Sequence, residues 1–247
     1  MRSFKTYKEV LLEKLVAADL AGPNTEKYVN PNNACQSDTA RLKKQLWPAE
    51  AYPEFNNWNG KALVIGKDFC NVTQDVADDL NKGVKSLDRP YANSMGRDGD
   101  KVNWTNANLL QIFKDIPILF VNSVWMWKIG KNMSVDIPTG DGEADKINRK
   151  AMDYTLKTFK GKIIVFLGND AARSFDRLYG TKFGKMKAMK DETNWKGFKV
   201  LMIRHTSNWM INKFMNSKQM SDLTTKKPFD KMSKLEIINA YISSHIK

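Results

Sequence analysis

Ala62-Leu63-Val64-Ile65-Gly66-Lys67-Asp68-Phe69-Cys70-Asn71 opens as a fully apolar run, stops at a glycine and turns polar at once. A run of that form reads as a buried strand of a parallel sheet, because both faces of such a strand are covered. Two later runs, 117–122 and 200–205, repeat the pattern, each an apolar strand that delivers one polar residue at its end. Open α/β sheets bind ligands just outside the carboxyl ends of their strands. Asp68, Asn122 and His205 are therefore expected to share one site.

Working outward, a fourth apolar run at 162–167 turns through Gly168-Asn169 into a helix expected over 170–178. Helices are also expected near 72–82, 105–115 and 143–159, with long loops at 83–103 and 130–142. Ser233 and Glu236 have capping-box spacing and predict the start of a last helix, as Thr6 and Glu9 do for residues 6–20. Residues 23–36 read as a loop, and Ser37 as the cap of a short helix before Pro48. Four strand-to-helix units in succession predict one α/β domain: a four-stranded, mainly parallel sheet with helices on both faces. Residues 1–60 would form a helical cover within that domain and 61–247 its core.

The chain has 247 residues, of which 42% are hydrophobic, enough for a sizeable core in a single domain. Its formal charge is +13, from 40 Lys and Arg against 27 Asp and Glu, and a field of that sign attracts polyanions, nucleic acid first. The two cysteines, Cys35 and Cys70, fit no metal-ligand spacing, so neither an iron–sulfur cluster nor a four-cysteine zinc site is expected. Scarce cysteine suits a reducing compartment. The amino terminus has no apolar signal core, and no run approaches the roughly 18 apolar residues of a membrane span. A cytoplasmic protein, monomeric and without a membrane partner, is the expectation.

In order and context the strand ends resemble motifs of the uracil-DNA glycosylase superfamily. Where that family has a strand followed by Gly-Gln-Asp-Pro-Tyr-His, this chain has Gly66-Lys67-Asp68-Phe69-Cys70-Asn71. The family strand Leu-Leu-Leu-Asn is matched by Leu119-Phe120-Val121-Asn122, and its strand leading to His-Pro-Ser by Met202-Ile203-Arg204-His205-Thr206-Ser207. Between them, Val165-Phe166-Leu167-Gly168-Asn169 resembles the third core strand. The similarity spans about residues 60–215 by order and spacing, with strict identity at few positions. It implies a three-layer α/β/α fold, a DNA partner and no cofactor.

The resemblance also implies roles. Breaking the bond between deoxyribose C1′ and a pyrimidine N1 builds a cation on the sugar and an anion on the base. Asp68 would stabilise the sugar and orient or deprotonate water. His205 would donate to the base O2, as an oxyanion-hole donor does. Asn122 would read the base edge; its amide can serve uracil or, flipped, cytosine. The wedge that fills the vacated stack would be Trp209, with Met210 beside it and Ser207 just before. The aromatic that stacks on the base has no match at the family spacing, leaving Phe69 and Tyr91 as candidates.

Two departures carry the substrate reading. The family tyrosine that walls off carbon 5 is replaced by the smaller Cys70, which would admit a 5-substituted pyrimidine such as hydroxymethylcytosine or its glucosylated form. Such bases occur in phage DNA, and excising them would be antiviral defence. Uracil or a mismatched base, in base-excision repair, is the alternative. Lys67 replaces the motif glutamine and would contact phosphate or the base O2, or form a Schiff base with the abasic sugar. The basic stretch 182–199 interleaves six lysines with Phe183, Trp195 and Phe198, and offers Lys185, Lys187 and Lys190 as phosphate contacts. A noncatalytic DNA-binding module on the same fold is the rival of another class.

Overall fold

The computed structural model describes residues 28–29, 57–67, 71–72, 104–123, 127–129, 149, 152–153, 155–207, 210–211, 213 and 231–246. Strands β1 (Tyr28–Val29), β2 (Ala62–Gly66) and β3 (Asn71–Val72) precede helix α1 (Trp104–Ile112) and strands β4 (Ile118–Asn122) and β5 (Trp127–Ile129). Then come β6 (Ile163–Leu167), α2 (Asn169–Tyr179), β7 (Glu192–Trp195), β8 (Phe198–Ile203) and α3 (Lys234–Ser243). Residues 149, 152–153 and 155–158 are helical as well, within the helix expected at 143–159.

The main sheet runs β4-β2-β6-β8-β7. The first four strands are parallel, with Gly66 opposite Asn122, Ile65 opposite Phe166 and Leu167 opposite Ile203. These are the four apolar runs of the sequence, and every residue of β2, β4 and β6 is buried. Their β-branched and aromatic side chains must therefore be covered on both faces. Right-handed crossovers say how. The chain moves one way along the sheet from β2 to β4, through α1, and the opposite way from β6 to β8, through α2, so the two helices lie on opposite faces. On the α2 face, Phe166 and Phe175 meet edge-on at 5.2 Å and Trp195 closes on Phe175 at 5.2 Å. Helix α3 joins α1, where Asn239 Nδ2 donates to Ile112 O at 2.6 Å.

Three expectations are corrected. The sheet has five strands, not four, because part of the lysine-rich stretch forms β7, antiparallel to β8 at the sheet edge. Its Glu-Thr-Asn-Trp sequence is mostly exposed and carries no apolar run, so it has none of the pattern of a buried strand. Lys196 and Gly197 both have positive φ, 47° and 82°, the backbone of a two-residue hairpin turn. Second, Phe183 and Phe198 are buried in the core, and Trp195 packs on Phe175 and Phe183, so these rings do not alternate with lysine on a free face. Third, Val72 is a strand residue where a helix was expected, and residues 28–29 are a strand where a loop was expected. A small second sheet, β1-β5-β3, holds them. The expected helices at 6–20 and before Pro48, and the loops at 83–103 and 130–142, lie outside the described residues, as does most of the expected cover at 1–60. Ser233 does cap α3, with the reciprocal bonds of a capping box to Glu236.

Candidate active site

A parallel sheet whose connections leave in opposite directions opens a crevice between the two strands where the direction changes. Here those strands are the neighbours β2 and β6. The strands outside them, β4 and β8, end in Asn122 and, two residues past Ile203, His205. Strands about 4.8 Å apart put Asn122 and His205 roughly 14 Å from each other along the edge, too far to act together unless both lean inward. Asn122 does lean inward, over Gly66, and the backbone and Cβ of His205 lie against Gly168.

On one side, a Cβ at Gly66 would collide with Asn122 Oδ1, and would lie 3.0 Å from the Phe120 ring. The Asn122 amide thus occupies the space over the end of β2. Asn122 is 7% exposed, and among the described residues its amide has no hydrogen-bond partner. On the other side, a Cβ at Gly168 would lie 3.4 Å from His205 N and 3.5 Å from His205 Cβ. Gly168 has φ 86° and ψ 169°, a region essentially reserved for glycine. Its N–H donates to Ile203 O at 2.9 Å, which draws the chain before His205 against the end of β6.

The protonation of His205 follows from its partners. The Ser207 backbone N–H donates to His205 Nδ1 at 3.2 Å, so Nδ1 must carry a lone pair and the proton of the neutral ring sits on Nε2. Burial is the largest influence on the imidazole and pushes its pKa below the ordinary 6.5. Asp170 pulls the other way, and Lys67 adds to the lowering. His205 is accordingly a neutral N–H donor at pH 7. Lys67, at the end of β2, and Asp170, in the first turn of α2, are its charged neighbours.

Two buried side chains hold this edge together. Ser123 is 2% exposed; its N–H donates to Gly66 O at 2.9 Å, and its Oγ lies within 3.2 Å of both Gly66 O and Lys67 O and 3.4 Å from Ala171 O. It ties the ends of β2 and β4 to the start of α2. From α1, Asn108 Nδ2 donates to Thr206 O at 2.8 Å and fixes the loop that carries His205. Neither is expected from the sequence, where a Ser after a strand and an Asn in a helix carry no signal of partners 57 and 98 residues away.

Of the other residues expected at the site, Lys67 lies at the edge and Ser207 bonds His205 through its backbone. Met210 is half-buried in the short helical segment that follows. Lys185, Lys187 and Lys190 are exposed on a segment braced to the same edge: Asn169 Nδ2 donates to Gly184 O at 3.0 Å and Met186 O at 3.2 Å, and Met189 N donates to Met202 O at 2.8 Å. Asp176 accepts from the N–H groups of Phe183 and Gly184, both at 2.7 Å, and sets the turn before Lys185. Two other lysines of the stretch are elsewhere. Lys196 sits over the Trp195 ring at 4.9 Å, and Lys199 pairs with Glu192 at 3.5 Å. Asp68, Phe69, Cys70, Tyr91 and Trp209 lie outside the described residues.

Among the described residues no group of three or more His, Cys, Asp or Glu side chains could hold a metal ion, and no helix is long and apolar enough to cross a membrane. No protein-family model matches the sequence, and no curated protein matches it.

Proposed function

We propose that this protein is a monofunctional DNA glycosylase that hydrolyses the N-glycosidic bond of a flipped pyrimidine nucleotide, leaving an abasic site. The carrying observation is the pair at the strand ends: the Asn122 amide over Gly66 and a neutral His205 whose backbone lies against Gly168, on either side of the β2–β6 crevice. A planar base seated there would have an amide for its edge and an N–H for its O2. Neutral imidazole suits that task, because a fixed N–H stabilises the anion building on the base without surrendering its proton. Asp68, the residue after Lys67 in the chain, supplies the carboxylate for the sugar and the water. Water adds at C1′ as the bond to N1 breaks; the departing base keeps the bonding pair and takes a proton from solvent. Lys185, Lys187 and Lys190 contact phosphates at the same edge, with Trp209 and Met210 beside the vacated stack, in a three-layer α/β/α fold of the uracil-DNA glycosylase kind.

Cys70 directs the substrate reading to a 5-modified cytosine, hydroxymethylated or glucosylated as in phage DNA, and the role to antiviral defence in the cytoplasm by a monomer. The experiment is incubation with oligonucleotides carrying U, T, hydroxymethylcytosine or glucosyl-hydroxymethylcytosine, followed by abasic-site detection. The expected result is abasic product from the modified cytosines, and its loss from the bulkier base in Cys70→Tyr. Product from U alone would return the substrate to uracil repair. DNA binding with no product from any of the four would favour the noncatalytic module.

A further inference from the structure

At the opposite edge of the sheet, where β2 and β6 begin, lies a cleft of about 460 Å³. Lys61, Lys160, Lys162 and Lys199 line it, and His245 closes one side. The topology gathers these lysines. Lys61 and Lys162 immediately precede β2 and β6, and Lys199, near the start of β8, donates its N–H to Lys162 O at 2.8 Å. The two loops touch backbone to backbone: a Cβ on Gly60 would lie 2.6 Å from Pro117 O, and one on Gly161 2.5 Å from Gly60 O. Two glycines therefore bring the loops bearing Lys61, Lys160 and Lys162 onto one rim.

Among the described residues, Lys61, Lys160 and Lys162 pair with no carboxylate. Glu192 is engaged already, lying 2.6 Å from His245 Nε2 and 3.5 Å from Lys199 Nζ. His245 Nδ1 lies 2.7 Å from Tyr241 O. Among the described residues, no Phe, Tyr or Trp lines the cleft, so none of these offers a ring to stack on a base. A concavity of this volume is the size of a small-ligand site, where ammonium groups act as point charges on phosphate.

We propose that this cleft binds an oligophosphate anion, an inorganic polyphosphate or the phosphate chain of a nucleoside polyphosphate, through Lys61, Lys160, Lys162 and Lys199. Strands rising about 3.3 Å per residue separate it from the carboxyl edge by roughly 15 Å, so it is distinct from the crevice and independent of the glycosylase reading.

The test is calorimetric titration of the whole protein with inorganic tripolyphosphate at physiological ionic strength. Saturable binding is expected, weakened about tenfold in the Lys160→Gln/Lys162→Gln double variant, equivalent to about 1.4 kcal/mol, and unchanged in Lys182→Gln. Both substituted lysines are exposed, so the double variant should melt like the parent. ATP in place of tripolyphosphate separates the sources: equal affinity identifies the phosphate chain alone, tighter binding a nucleoside polyphosphate. Absence of saturable binding, unaltered affinity in the double variant, or displacement of tripolyphosphate by a short DNA duplex would overturn the proposal.

Discussion

Gly66 and Gly168 flank the crevice for different reasons: a Cβ at Gly66 would take the space of the Asn122 amide, whereas Gly168 is required by its φ of 86°. Gly66→Ala places a methyl against Asn122 Oδ1 and the Phe120 ring. Displacing a catalytic group by about 1 Å can cost roughly a hundredfold in rate, whereas overpacking of this kind costs about 1–3 kcal/mol of stability. Excision by Gly66→Ala should therefore drop about a hundredfold while the protein still folds, read by single-turnover cleavage beside a denaturation curve. His205 gives a pH prediction. Its folded pKa lies below 6.5, so on acidification the unfolded chain takes up the proton first. Its contribution to stability is complete above 6.5 and is lost as pH falls through the folded value. Denaturation midpoints measured across that range should decline toward acid, and less steeply in His205→Gln. Excision should show no break from His205 above 6.5 and a fall below it, because the imidazolium Nδ1–H would face the Ser207 N–H.

At the scale of elements, α1 is coupled to the His205 loop through one buried bond, from Asn108 Nδ2 to Thr206 O. Asn108→Ala leaves that carbonyl without its donor, a loss of about 1–3 kcal/mol; chemical denaturation should show it, with slower excision as the loop relaxes. The parallel strands were legible because a strand covered on both faces must be apolar along its length, and 62–65, 118–121 and 163–167 are. Ser233 and Glu236 were legible because a capping box is a local device. Strand β7 was not, since an exposed edge strand needs no apolar residues and resembles a solvated lysine-rich loop. At the site, Asn122 and His205 could be found as polar residues ending apolar runs. Ser123 and Asn108 could not, because their partners are backbone carbonyls far away in sequence. The lean of Asn122 over Gly66 depends on contacts across the sheet that no local pattern encodes.

For the whole molecule, the net charge is +13, and among the described residues two groups of lysines stand at opposite ends of one sheet. Lys185, Lys187 and Lys190 stand at the carboxyl edge on a segment braced by Asn169 and Asp176, beside the crevice. Lys61, Lys160, Lys162 and Lys199 ring the cleft at the other edge. A polyanion drawn in by the overall field would meet two different surfaces, and the carboxyl edge is the one that carries His205 and the buried Asn122 amide. N-glycosidic hydrolysis is the activity proposed for this carboxyl edge. It is tested most directly by single-turnover excision on an oligonucleotide carrying hydroxymethylcytosine, with DNA affinity measured in parallel, for the wild type, Asp68→Asn and His205→Ala. Abasic product is expected from the wild type, background rates from Asp68→Asn, and a rate about 10²–10³-fold lower from His205→Ala, the loss of one oxyanion-type donor, with all three binding DNA alike. Wild-type protein that binds the oligonucleotide and yields no abasic site, or variants that excise at the full rate, would contradict it.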